Sequence, residues 1–247
     1  DRWHVTKMVK VVVVLDFDRT IIDDDSDRWV INELGLTDFF NQIRSTIPSW
    51  TSLMDTIMNE LHSKGITTEN IAQCLQRAFL HPNIASAIKS AQSLGCDLRI
   101  ISDANMFYIK TILEHHNLLG CFSEINTNPS FVDEKGCLHV TPFHDSTLPP
   151  HGCQLCPPNM CKGLIIDRIR GSLPESEARF IYVGDGAGDY CPTLKLKGGD
   201  FVMPRKNYPL WDRIGTDPKL VHATVHDWSN GEELENILLN LVKKLVT

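Results

Sequence analysis

The chain has no apolar run approaching the roughly 20 residues that a membrane helix needs. It has no internal repeat and no low-complexity tract. Basic residues are not in excess: 24 Lys and Arg against 31 Asp and Glu give a net charge of −7. That balance disfavours nucleic acid or an anionic membrane surface as a partner. Residues 1–10 lack a long apolar region ahead of a small-residue cleavage site, the mark of a secretory leader. These absences point to a soluble globular chain in the cytoplasm. At 247 residues it can build one good-sized core, or one core and a small accessory domain. Such a chain needs no disulfides, and its eight cysteines read as reduced thiols.

What is present begins with Val11-Val12-Val13-Val14-Leu15 running into Asp16-Phe17-Asp18-Arg19-Thr20. An unbroken β-branched run reads as a strand buried on both faces, as in parallel sheets. Asp16 and Asp18, one residue apart, would point the same way at the strand end. Open α/β sheets place ligands there. Two close carboxylates repel unless a proton or a cation relieves them, and Mg²⁺ suits oxygen ligands. A plain acidic turn is the alternative, since Asp23-Asp24-Asp25 follows.

From Ser26 to Leu80 every pattern is helical. Ser26 or Asp27 is expected to cap a first helix, Ser49 caps Trp50–Lys64, and Thr67 or Thr68 caps Glu69–Phe79. Strands and helices then alternate. Strands are expected at Asp97–Ile101, Phe122–Asn126, Phe180–Val183, Phe201–Met203 and His222–Val225. Helices are expected at Ile84–Leu94, Phe107–His116, Leu164–Arg170, Pro192–Leu196 and Glu232–Leu245. Ser130–Thr141 reads as a hairpin and residues 144–160 as an irregular loop. The alternation predicts a doubly wound parallel sheet, with the strand ends at residues 16, 102 and 184 on one edge.

Those ends carry Asp16 and Asp18, then Ser102, then Asp185 and Asp189, with Lys162 at a loop–helix junction. Singly, Ser102 reads as a helix cap, Lys162 as a surface lysine and Asp185 as a turn residue among glycines. Their order and shared context favour one site.

The set Asp16-Phe17-Asp18-Arg19-Thr20, Ser102, Lys162 and Gly184-Asp185-Gly186-Ala187-Gly188-Asp189 resembles the haloacid dehalogenase phosphatase superfamily, in its order and across the chain. Ser26-Asp27, Ile101-Ser102-Asp103-Ala104-Asn105, Cys156-Pro157-Pro158-Asn159-Met160-Cys161-Lys162-Gly163 and Asp189-Tyr190-Cys191-Pro192 resemble its phosphoethanolamine/phosphocholine phosphatase family. That family has a plant branch acting on pyrophosphate and relatives of thiamine monophosphate. The resemblance implies a Rossmann-like core (1–25 and 81–247) and an all-helical C1 cap (26–80). It implies Asp16 as nucleophile, Asp18 as general acid and base, and Lys162 as the charge-neutralising catalytic residue. Phosphate would be bound by Phe17, Ser102, Asp103 and Lys162. Mg²⁺ would be held by Asp16, Asp18 and Asp185, with Asp189 in support.

The implied activity is hydrolysis of a small phosphomonoester through an aspartyl-phosphate. The acidic junction and the aromatics Trp29, Phe39, Phe40 and Trp50 favour a cationic headgroup: ethanolamine, choline or the thiazolium of thiamine monophosphate. Asp25, Ser26, Asp27 and Asn105 are the candidate specificity residues. Pyrophosphate and pyridoxal phosphate are the alternative substrates. A phosphate-binding module without catalysis and a phosphotransferase are alternatives of another kind.

Cys74, Cys96, Cys121, Cys137 and Cys191 are scattered among periodic segments. His151, Cys153, Cys156 and Cys161 share one loop and are enough in number for tetrahedral zinc, though their spacing is irregular. A reversible disulfide is another reading. A compact loop that positions Lys162 is preferred over both.

Overall fold

A computed structural model describes residues 9–145, 148, 150–174 and 178–246. Most of the expectation for residues 1–10, and residues 146, 147 and 149 of the expected loop, lie outside the described residues. Among the described residues no helix is long and apolar enough to cross a membrane.

The centre is β1 (Lys10–Leu15), whose residues from Val11 onward are all buried. It pairs in parallel with β2 (Asp97–Asn105) on one side and β6 (Ala178–Gly184) on the other. Beyond them stand β3 (Glu124–Asn128), β7 (Phe201–Pro204) and β8 (Thr224–Val225). The six-stranded order is β3-β2-β1-β6-β7-β8, with every pair parallel. This is the doubly wound α/β sheet expected from the alternation.

Side chains alternate along β1, so its two faces serve two cores. Val11, Val13 and Leu15 pack with α5 (Pro82–Ser93), α6 (Met106–His115) and α10 (Gly231–Val246). Val12 and Val14 pack with α7 (Lys162–Gly171) and α9 (Pro209–Thr216), beside the one-turn α8 (Tyr190–Thr193). No helix is expected at 209–216 from the sequence. Pro209 opens it and only Leu210 and Ile214 bury, one turn apart.

Between β1 and α5 lie α1 (Ser26–Glu33), α2 (Thr37–Ile43), α3 (Trp50–Ser63) and α4 (Thr68–Leu75). No strand interrupts them. Their apolar residues Val30, Phe40, Leu53, Ile57 and Ile71 are continuous with the core on the α5/α6 face. Asp25, rather than Ser26 or Asp27, caps α1: its carboxylate accepts the Arg28 N–H at 3.0 Å. Helix α4 stops at Leu75 rather than Phe79, because the chain tightens into i→i−3 bonds from Arg77 to Cys74 and from Ala78 to Leu75. The hairpin β4 (Ser130–Val132) and β5 (Leu138–Val140) lies against α3. There Asp55 Oδ1 accepts the Val140 N–H at 3.0 Å and faces His139 Nδ1 at 3.0 Å.

Candidate active site

The strand order reverses at β1, which has β2 on one flank and β6 on the other. Asp16 leaves the sheet at that switch point. Its N–H still pairs with the Val183 carbonyl at 2.9 Å. The next residues wind tightly: the Phe17 carbonyl receives the N–H groups of Thr20, Ile21 and Ile22 at 3.3, 2.8 and 3.2 Å. That turn swings Asp18 back to the N-terminus of α1, where its Oδ1 accepts the Ser26 N–H at 3.0 Å. Arg205, from beyond β7, clamps the turn by bonding the Arg19 carbonyl at 2.7 Å and Asp23 at 2.6 Å.

Strand β2 does not end at Ile101 as expected. It pairs on through Ser102 with Thr127 and through Asn105 with Asn128, and the register shifts between them. The shift is a bulge that frees Asp103 and Ala104 from the ladder. Asn128 Nδ2 takes both displaced carbonyls, Asp103 at 2.8 Å and Ala104 at 3.0 Å. Asn159 Nδ2 then bridges Asn128 Oδ1 at 3.2 Å and Asp103 Oδ1 at 3.0 Å. The bulge thus brings Asp103 to a cavity that Asp16 also lines.

At the end of β6, Asp189 is the hub. Its Oδ1 accepts Lys162 Nζ at 2.8 Å and the Tyr182 hydroxyl at 2.6 Å. Its Oδ2 accepts the N–H groups of Asp185 and Gly186 at 3.0 and 2.9 Å. Those four bonds match the roughly four lone-pair sites of a carboxylate. A Cβ on Gly184 would stand 2.6 Å from this carboxylate, so only glycine admits the hub. Lys162, at the start of α7, also reaches Asp16 Oδ2 at 3.1 Å.

One ammonium therefore serves three buried carboxylates, and the imbalance shifts their protonation. Burial, then the Asp189 charge, pushes Asp16 well above the ordinary carboxylate range. Burial, then Asp189, raises Asp185 to about 7. Burial, then the Asp25 charge, raises Asp18 to about 7, against the Ser26 hydrogen bonds. Asp189 goes the other way. Burial alone would raise it, but the Lys162 ammonium and its other donors hold it low. Lys162 would be lowered by burial, yet Asp16 and Asp189 push it well above its usual value. Ligand atoms of Asp16, Asp185 and Asp189 all lie within 4.8 Å of one another; with Asp189 fully bonded, the oxygens of Asp16 and Asp185 are the pair that fits a hard divalent cation.

A cavity of about 160 Å³ is lined by Asp16, Asp18, Ser102, Asp103, Lys162 and Asp185, with Asp189 at its wall. A second, of about 340 Å³, shares Asp18, Asp25 and Asp103 with it and adds Asp27, Trp50, Pro157 and Asn159. Every side chain expected to do chemistry therefore meets in one place. Phe17 is fully buried, and its N–H bonds Asp16 Oδ1 at 2.7 Å. Of the specificity candidates, Asp25 and Asp27 line the second cavity, whereas Ser26 and Asn105 are buried and line neither. Asn105 caps α6. Among the four aromatics only Trp50 lines it, donating to Asp27 Oδ2 at 2.7 Å. Trp29 instead bonds the Cys74 carbonyl, and the Phe40 ring carries the Arg28 guanidinium at 4.2 Å. Sequence reasoning missed Tyr182, Asn128, Asn159 as a contact to Asp103, and Arg205. Only Asn159 lay inside a motif the sequence had marked.

Sheet order and acidic strand ends are those expected of a phosphatase of the haloacid dehalogenase type. A solved structure described as "Phospho-Aspartyl Intermediate Analogue of Phosphoserine phosphatase" shares the fold with a TM-score of 0.61 at 16% identity, covering 95% of this chain and 99% of that one. Residues 11–242 match the family described as "Putative Phosphatase", and the chain belongs to it. "Inorganic pyrophosphatase 2" of Arabidopsis thaliana is 56% identical over 245 residues, 98% of this chain and 88% of that protein. "Thiamine phosphate phosphatase-like protein" of Arabidopsis thaliana is 54% identical over 240 residues, 96% of this chain and 98% of that protein.

Proposed function

We propose that the chain hydrolyses a small phosphomonoester with a cationic headgroup through an aspartyl-phosphate on Asp16, with Mg²⁺ bound. The observation that carries this is the meeting of Asp16, Asp18 and Lys162 on one small cavity.

In the first half-reaction an Asp16 oxygen attacks phosphorus as the ester oxygen departs. Asp18, whose carboxyl is pushed up by burial and the Asp25 charge, gives its proton to that leaving oxygen. In the second, Asp18 takes a proton from the water that attacks the aspartyl-phosphate, releasing phosphate and restoring Asp16. Ser102 and the N–H groups of Asp18 and Asp103 donate to the phosphoryl oxygens, joined by the Phe17 N–H when it lets go of Asp16 Oδ1. Lys162 offsets their charge and, tied to Asp189, keeps Asp16 in line. Mg²⁺, held by Asp16, Asp185 and the Asp18 carbonyl, would offset repulsion between nucleophile and phosphate. Asp189 supports it from one layer back, because its own lone pairs are taken. Residues 26–80 act as a cap on the core of 1–25 and 81–247.

The wall of the larger cavity selects the leaving group. Asp25, Asp27 and Asp103 with the Trp50 ring suit an amine, a quaternary ammonium or a thiazolium. One observation favours a second reading, hydrolysis of pyrophosphate: the name of the relative at 56% identity. The acidic wall opposes it, since a second phosphate would face carboxylates.

Phosphate release from phosphocholine, phosphoethanolamine, thiamine monophosphate, pyridoxal phosphate, pyrophosphate and a sugar phosphate, with and without Mg²⁺, decides between them. A cationic ester is expected to be cleaved best, with turnover lost in Asp16→Asn and without Mg²⁺. Pyrophosphate as best substrate would keep the mechanism and discard the headgroup. Release that survives Asp16→Asn would discard the nucleophile.

A further inference from the structure

The fold gathers a second set of metal-ligating side chains behind Lys162. Cys153, Cys156, Cys161 and Cys191 hold their sulfurs within 4.8 Å of one another. Cys191 Sγ stands 3.7 Å from Cys153 Sγ and 3.9 Å from Cys161 Sγ. Four thiolates at about 2.3 Å around tetrahedral zinc are separated by about 3.8 Å. The observed spacings match the edges of that tetrahedron. A disulfide would bring two sulfurs to about 2 Å and leave two unexplained. All eight cysteines are free.

The surroundings fit thiolates. Helix α7 begins at the cluster, and its first N–H groups aim at sulfur: Gly163 donates to Cys191 and Leu164 to Cys161. A helix N-terminus and N–H···S bonds both favour negative sulfur. Gly163 is needed for the approach, since a Cβ there would lie 2.5 Å from Cys191 Sγ. His151, a candidate fourth ligand from the sequence, is engaged elsewhere. Its Nε2 faces the Pro157 carbonyl at 2.9 Å, and its Nδ1 accepts the Cys153 N–H at 3.1 Å. Cys191, across 38 residues from Cys153, takes that place.

We propose that Cys153, Cys156, Cys161 and Cys191 bind a structural zinc ion that joins the 153–161 loop to α8. Soft sulfur donors select zinc, while the oxygen set of Asp16 and Asp185 selects a hard cation, so the two sites sort their metals by donor chemistry. The zinc is a positioning device. Cys161 precedes Lys162 directly, and Cys191 lies two residues beyond Asp189. The metal thus fixes the spacing of the two segments whose side chains meet at 2.8 Å.

The test is metal content of the full chain, purified reduced and without chelator, by mass spectrometry. Wild type and Asp16→Asn are each expected to hold about one zinc, and Cys153→Ser and Cys191→Ser less than about a tenth. Cys153→His, which keeps a permitted ligand set, is expected to restore zinc and most of kcat. Cobalt(II) titration of metal-stripped, reduced wild type covers the case of variants that fail to fold: tetrahedral thiolate absorption bands saturating at one equivalent are expected. Wild type with neither zinc nor those bands would overturn the proposal. So would zinc retained in folded Cys153→Ser and Cys191→Ser, or a freshly purified chain two hydrogens lighter through a disulfide.

Discussion

Lys162 and Asp189 form an ion pair at 2.8 Å in which neither side chain is more than 3% exposed. The pair leaves the lysine its reach to Asp16 at 3.1 Å. Breaking a buried pair by removing one partner leaves the other charge stranded, at about 3–5 kcal/mol. Lys162→Met is therefore expected to lower stability by about that amount in urea unfolding and to abolish phosphate release. An unchanged unfolding midpoint would show that the pair holds little of the fold.

Burial, then the neighbouring Asp189 carboxylate, pushes the Asp16 pKa up, an electrostatic strain kept for chemistry. Asp16→Asn is expected to slow turnover by at least about a thousandfold. The same change should raise the melting temperature of Mg²⁺-free protein, because the burial cost of the carboxylate and its repulsion by Asp189 and Asp185 fall away. A calorimetric scan that shows a fall instead would refute the strain.

Asp18 and Asp185 rise from the usual 3.8 to about 7 on folding. Between those values the folded chain binds more protons than the unfolded chain. Stability must then fall as pH rises across the window. In Mg²⁺-free buffer the melting temperature is expected to decline from about pH 4 to about pH 7, with Mg²⁺ restoring it most at the upper end. Asp185→Asn should flatten the slope. A melting temperature that climbs with pH would contradict these shifts.

Asn128 Nδ2 donates to two carbonyls released by the bulge in β2. Leaving buried acceptors unpaired costs about 1–3 kcal/mol, and Asn128→Ala is expected to show it. Asn159→Ala should cost less stability but loosen Asp103, raising KM about tenfold. Equal effects of the two substitutions on stability would argue against this division.

Asp27 is buried beside Trp50, and burial followed by the Asp18 and Asp25 charges pushes its carboxyl well up. A cationic headgroup would favour the ionised form, so binding should expel a proton. KM for the cationic ester is expected to fall as pH rises above the usual carboxylate range, while KM for pyrophosphate does not. Asp27→Asn should erase the difference. A KM that ignores pH for both substrates would remove Asp27 from recognition.

Much of this site was legible because each part is announced by its neighbours in the chain. Val11–Leu15 before Asp16, Phe180–Val183 before Gly184 and the helix opening at Lys162 are local signals, and sheet topology brings them together. What escaped detection is made across long separations. The bulge in β2 depends on Asn128, 25 residues from Asp103, and on Asn159, 56 residues away. Asp25 outcompeted Ser26 and Asp27 as helix cap because all three residue types serve, and the backbone geometry decides. Trp29 and Phe40 could not be told from ligand-facing aromatics until their partners, the Cys74 carbonyl and the Arg28 guanidinium, were in place.

The hairpin that holds Asp55 on α3 has a kinetic consequence. Helices α1–α4 are tethered at both chain ends, fused to the sheet by one apolar core, and gripped from the side through His139 and Val140. Swinging them away as a body would wet that core. Shifting the exposed Pro157-Pro158 segment of the neighbouring loop would leave that core dry. Traffic into and out of the cavity should therefore follow the loop, so the residence time of product is expected to track the loop's rigidity rather than a hinge in the helices.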